Sequence, residues 1–137
     1  MRATTVQRAR AFTKVPKLVD QGYHVQTPWS VAWGDMDAFG HVNNCVYFKY
    51  FESARIAYFD RVGILATANV GADSGPPDAL DKAAIELSQI KPILASTDCK
   101  FKRPLAFPDE LVLAAKVVEL TDRQFILRHA VYSEKLD

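Results

Sequence analysis

The sequence predicts an α+β fold in which one long helix lies on an antiparallel sheet. Three observations carry this prediction. Residues 22–33 alternate at period two, residues 45–62 switch to the helical period, and further alternating stretches separated by short turns close the chain. A helix that is apolar over a wide arc needs a covering layer, and a sheet curled around it supplies one. With 137 residues, 49% hydrophobic and 24% charged, the chain is the size of one globular domain. Such a domain builds its core without disulfides or structural metal.

In the first strand Val25, Thr27, Trp29, Val31 and Trp33 share one side, and His24, Gln26 and Ser30 the other. Pro28 lies inside it and tolerates only an edge or a bulge, because it has no N–H to give a ladder. Residues 34–44, GDMDAFGHVNN, are turn chemistry. Asn43 or Asn44 is a natural N-cap for the helix that follows. Val46, Tyr47, Tyr50, Phe51, Ala54, Ala57 and Tyr58 then occupy one arc of about 140° at ~100° per residue. Gly63 ends that helix as its first left-handed residue. Phe48, Glu52, Arg55 and Phe59 line the opposite side, which is expected to pack on an extra segment or another subunit.

Residues 71–78, GADSGPPD, read as a loop, and Ala79–Leu87 as a short helix begun by Pro77-Asp78. Three strands are expected at 93–103, 110–120 and 123–133, although the pattern of 110–120 also admits a helix. The short turns at 105–110 and 121–123 would make them an antiparallel meander.

A net charge of +1 argues against nucleic-acid binding, and no apolar run is long enough to span a membrane. Cys45 and Cys99 lie far apart without a CxxC, and no two histidines have metal-ligand spacing. Neither a metal nor a cofactor is therefore expected. Five of the 17 basic side chains precede the first acid, Asp20, leaving 12 against 16 acidic ones in the rest of the chain. Residues 1–21 read as a basic N-terminal extension, either a short disordered arm or a mitochondrial or plastid transit peptide. Lys14-Val15-Pro16 breaks any long amphipathic helix there. The expected compartment is the cytoplasm or the mitochondrial matrix.

The block Trp33-Gly34-Asp35-Met36-Asp37-Ala38-Phe39-Gly40-His41-Val42-Asn43-Asn44, followed by Tyr47, Tyr50, Glu52, Ala54 and Arg55, resembles the hotdog-fold acyl-CoA thioesterases of the 4-hydroxybenzoyl-CoA thioesterase-like branch. Phe101-Lys102-Arg103-Pro104-Leu105 adds to the likeness, which runs from about residue 23 to the end. It implies a hotdog domain over 22–137, a long central helix wrapped by an antiparallel sheet. It also implies a homodimer or homotetramer with active sites between subunits. Two departures stand out. Relatives carry a glycine where Ile90 and Lys91 stand, and some use its amide to polarise the thioester carbonyl. They also have one more strand after the one ending near Tyr132, so by the resemblance the domain reads as C-terminally truncated and poorly stable.

Cleaving a thioester requires a base or nucleophile on one side of the carbonyl and donors for the developing oxyanion on the other. Asp37 sits on a turn that feeds a helix N-terminus, where the amides from Gly40 to Asn44 point outward with a positive dipole behind them. Asp37 could equally cap its own turn; the resemblance makes it the catalytic carboxylate, with Asp35 a structural turn acceptor. His41 is a residue type suited to acid–base work, and similar acyl-carrier-protein thioesterases use a histidine in such a block. It could also serve as a structural turn residue.

Gly40, Val42, Asn43, Asn44 and Tyr47 are candidate substrate contacts. Gly40 leaves room for a ligand, Asn43 and Asn44 also suit helix capping, and Tyr47 lies on the apolar helix face. Cys45 reads as a small packed residue. Lys102, Arg103 and Arg123 are candidates for the phosphates of CoA. The predicted activity is hydrolysis of an acyl-CoA to free acid and CoA, with Asp37 as general base or nucleophile. The rival is a non-catalytic acyl-CoA-binding or scaffolding domain of the same fold. A related enoyl-thioester hydratase would need a longer motif that is not seen.

Overall fold

The computed structural model describes residues 12–65 and 91–137. In chain order these form α1 (Pro16–Asp20), β1 (Val25–Ser30), α2 (Asn44–Arg61), β2 (Glu110–Leu120) and β3 (Phe125–Ser133). The expected loop at 71–78, the helix at 79–87, Ile90 and the first eleven residues lie outside the described residues.

Local chemistry sets both ends of α2. Asn43 Oδ1 accepts the Cys45 N–H at 2.9 Å, satisfying one of the orphan donors of the first turn. At the other end Gly63 takes φ +86°. Its N–H donates to Asp60 O at 3.1 Å, and Ile64 N–H donates to Phe59 O at 2.9 Å. Both bonds together form a Schellman cap. Tyr47, Tyr50 and Ala54 from the predicted arc are buried, with Val46, Phe51 and Tyr58 packed beside them.

The sheet has the order β1-β2-β3 and is antiparallel throughout. Val25 faces Ala115 and Ser30 faces Glu110 across β1–β2. Leu111 faces Ser133 and Leu120 faces Phe125 across β2–β3, with one irregularity between Val117 and Glu119. Among the described residues β1 has a partner on one side only, which is where Pro28 is tolerated. Leu111, Leu113 and Ala115 of β2 point at α2 and join Val31, Val42, Tyr50 and Leu105 in the main core.

The structure corrects four expectations. Residues 93–103 are not a strand. They run past the sheet without ladder bonds, with Ile93 91% exposed and Leu94 and Phe101 open to solvent. The place beside β2 that a short turn would offer them is filled, because β1 and β3 occupy its two edges. Trp33 does not continue β1. Asp35 Oδ2 accepts the Ala32 N–H at 3.1 Å, and the chain turns into a short 3₁₀ segment at Trp33–Asp35 that leaves the indole exposed.

Phe59, assigned to the outer side of the helix, is buried, with its ring edge-on to Phe125 of β3 at 5.9 Å. Finally, residues 16–20 are not part of a loose arm. Pro16 opens α1, where its missing N–H costs nothing, and Leu18 is 5% exposed against Tyr23 and Ala114 on the back of the sheet. Lys17 bonds to Asp137, which also accepts the Tyr132 hydroxyl at 2.9 Å.

Candidate active site

Residues 35–43 close on themselves as a small antiparallel loop. Asn43 N–H donates to Asp35 O at 2.9 Å, Asp37 N–H to His41 O at 2.8 Å, and Gly40 N–H to Asp37 O at 3.1 Å. Met36 and Val42 face each other inside it. Gly40 makes the reversal possible with φ +75°, a conformation side-chain-bearing residues avoid. Val42 is buried, and its N–H donates to Leu105 O at 2.8 Å. In return Leu105 N–H donates to the Tyr47 hydroxyl at 3.3 Å. These two bonds hold residues 101–105 along the start of α2, and Phe101 sets its ring edge-on to Tyr47 at 5.1 Å.

Between the loop, the first turn of α2 and this segment lies a groove of about 300 Å³. Asp37, His41, Val42, Asn44, Tyr47, Phe101, Lys102, Arg103 and Pro104 line it. The structure thus brings together seven residues singled out in the sequence, from Asp37 to Arg103. Gly40 and Asn43 are exposed and do not line it; they shape the loop and the helix cap beside it. Arg123 is not there: it lies at the exposed β2–β3 turn, with Asp122 Oδ2 at 3.9 Å from its Nε. Phe101 and Pro104 line the groove although only their basic neighbours were candidates; their place in the same short motif was the available signal.

Asp37 is half-buried. Its Oδ1 accepts the Phe39 N–H at 2.8 Å and the His41 N–H at 3.4 Å. Its Oδ2 has no partner among the described residues. One oxygen is therefore oriented by the turn and the other is left for a ligand. Asp35 does what its position suggested: it caps Ala32 and accepts the Tyr50 hydroxyl at 2.8 Å.

The expected row of free amides is much shorter than the spacing implied. Gly40, His41, Val42 and Asn43 N–H groups are all bonded within the protein, Cys45 N–H goes to the cap, and Val46 N–H to Asn43 O. Within that row only Asn44, the first helical position, has no acceptor for its N–H among the described residues. It carries the positive end of the α2 dipole into the groove.

Burial pushes the Tyr47 hydroxyl above its ordinary range, so Tyr47 is a neutral phenol wall near neutral pH. A larger depression of about 530 Å³ lies on the outer side of α2 between Glu52, Ile56, Asp60 and Leu65. It pairs carboxylates with no helix N-terminus, so its chemistry is the poorer one despite its size.

One long helix on an antiparallel sheet, with a carboxylate turn at the helix N-terminus, defines the hotdog class. Residues 31–136 match the model of the thioesterase-like superfamily, and the chain belongs to that family. A thioesterase from Thermus thermophilus, solved with coenzyme A and Zn, superposes with a TM-score of 0.58 at 27% identity, over 82% of this chain and 74% of that one. The BH1999 gentisyl-coenzyme A thioesterase gives 0.56 at 27% identity, over 80% and 76%. Among curated sequences, the uncharacterized protein YsmA of Bacillus subtilis is 29% identical over 87 residues, 64% of this chain. The chain spans about half the length of that relative, 46% of it. Among the described residues no helix is long and apolar enough to cross a membrane.

Proposed function

We propose that this protein hydrolyses an acyl-CoA thioester to the free acid and CoA. The observation that carries the reading is the sharing of one groove by the Asp37 carboxylate and the free Asn44 amide. The thioester carbonyl oxygen sits at the Asn44 N–H, where the helix dipole favours negative charge. Asp37 Oδ2 then takes a proton from water as the hydroxide adds to the carbonyl carbon; in the nucleophilic variant it adds to that carbon itself, and water afterwards hydrolyses the mixed anhydride to release the acid and restore the carboxylate. Collapse of the tetrahedral species breaks the C–S bond, and the sulfur leaves with a proton. A protonated His41, exposed on the groove wall, gives a proton to the leaving sulfur and regains one from Asp37 or from water. Lys102 and Arg103 meet the phosphates of CoA. Family membership and the CoA-linked names of the structural relatives support the substrate class.

The working unit in this reading is a homodimer or a pair of dimers. The exposed Ile93, Leu94 and Phe101 supply an apolar edge for a second copy next to the groove. A second reading, an acyl-CoA-binding domain without turnover, is favoured by one observation: Asp37 Oδ1 already caps its own turn. Thiol release measured over aromatic, short branched and medium straight-chain acyl-CoAs separates the two. Turnover with at least one ester supports hydrolysis. Saturable binding of the esters with no thiol released would replace it with the binding domain.

A further inference from the structure

We infer that Tyr50 is a positioning residue that sets the Asp37 carboxylate against the helix N-terminus, acting through Asp35. The inference rests on the hydrolase reading above. Tyr50 lies on the inner side of α2, two turns from its start, and is 1% exposed. A hydroxyl carried that deep needs an acceptor, because an unbonded one costs more than the bond is worth. Tyr50 finds it in Asp35 Oδ2 at 2.8 Å, and that same oxygen accepts the Ala32 N–H.

Asp35 is the first residue of the loop that carries Asp37, and its carbonyl accepts the N–H of Asn43, the residue that caps α2. The hydroxyl therefore ties the base of the loop to the helix whose first residue, Asn44, lines the groove. Asp37 lies in the loop and Asn44 opens the helix that directly follows it, and the Tyr50–Asp35 bond is a side-chain link between loop and helix in which neither of these two groups takes part. The ring is held independently of the hydroxyl, tilted on Trp29 at 5.9 Å and on Tyr47 at 6.1 Å. Burial, followed by the bond to Asp35, pushes the phenol far above its ordinary range, so it remains a donor at every working pH.

The consequence for rate follows from geometry. A displacement of about 1 Å between reacting groups can cost roughly 10²-fold. Substrate binding, which draws on Lys102, Arg103 and the groove walls, does not depend on that bond.

The test is Tyr50→Phe in the full chain, which removes the hydroxyl and keeps the packed ring. Steady-state thiol release on the preferred ester of the panel is measured beside amide hydrogen exchange and circular dichroism. The expected result is a kcat lower by about ten-fold or more with KM within about three-fold. The Asn43 amide should also exchange about ten-fold faster while the Leu113 amide in the sheet keeps its rate. Asp35→Ala should reproduce the loss, and the double variant should lose no more than the worse single, because both act through one link. An unchanged kcat in Tyr50→Phe overturns the inference. So does additivity in the double variant, or faster exchange spread equally to Leu113, which would make the hydroxyl a general stability element. If the wild type releases no thiol from any ester, the hydrolase reading fails separately. Exchange at Asn43 then still decides whether Tyr50 holds the loop, with an unaltered rate overturning it.

Discussion

Two pieces of chain wall the groove, and they are held in opposite ways. The loop at 35–43 bonds most of its N–H groups, those of Asp37, Phe39, Gly40, His41 and Asn43, to acceptors within the loop itself. The segment at 91–104 has no ladder, displays Ile93 and Leu94 to water, and is fastened at its end through Leu105 to Val42 and Tyr47. The first wall is specified by its own residues. The second takes its shape from what lies against it. A site built from one of each can keep its chemistry fixed while its binding side answers to its surroundings.

The contrast can be broken from either side. The largest effect is expected on the self-sufficient wall. Asp37→Asn keeps an oxygen for the Phe39 and His41 amides but abolishes the base, so the fold should persist while turnover falls by about 10²–10⁴-fold. Thiol release with circular dichroism as a control checks both halves. Near-normal release would move the chemistry to His41.

On the dependent wall, Ile93→Asp should leave the thermal midpoint of the protein almost unchanged and weaken self-association by about 30-fold. This takes ~2 kcal/mol for a central interface residue. Light scattering over a dilution series reads it. An unchanged oligomer would show that this edge faces something other than a second copy. Gly40→Ala has a smaller expected effect. A Cβ there meets nothing within 4 Å, so only the φ of +75° resists it, at about 1 kcal/mol. Chemical denaturation should show that loss, and Ala at Gly34, where the loop begins in an ordinary conformation, should not.

The smallest effect is a control remote from both walls. His129 of β3 stacks on Phe51 of α2 at 5.1 Å, and its Nε2 is buried without a partner among the described residues. Burial, helped by the Arg55 charge, lowers its pKa below the ordinary 6.5. The unfolded chain therefore binds a proton that the folded one refuses. Stability from this group should be full above about pH 6.5 and decline as the pH falls toward the lowered value. Denaturation midpoints from about pH 7.5 to 5 should follow that slope, and His129→Gln should flatten it.

What could be read in the sequence is what local chemistry decides. A cap at Asn43 or Asn44, Gly63 as a stop, and the arc through Tyr47, Tyr50 and Ala54 are each fixed by a few neighbouring residues; the cap falls on Asn43, and the other two hold. The block from Asp35 to Asn44 carries its own turn, so the loop that presents Asp37 to the groove was legible too. What could not be read depends on distant partners. Alternation in 93–103 says which side chains share a face, but not that β1 takes the place beside β2. Leu18 is an ordinary residue in a basic stretch until Ala114 arrives beneath it. Phe59 lies off the apolar arc, yet Phe125 reaches around to meet it. The occupied amides of the loop escaped because residue types do not reveal which carbonyl a backbone N–H will meet.

The short helix α1 leaves the sheet clothed on both sides. Leu18 lies over Ala114 while Tyr23, Val112, Ala130 and Tyr132 close around it, and Lys17 is bonded to Asp137 beyond them. Anything laid flat on that patch of the sheet meets Leu18 and its neighbours before it meets the strands. Five residues near the front of the chain thus set what that face presents, far in sequence from the groove.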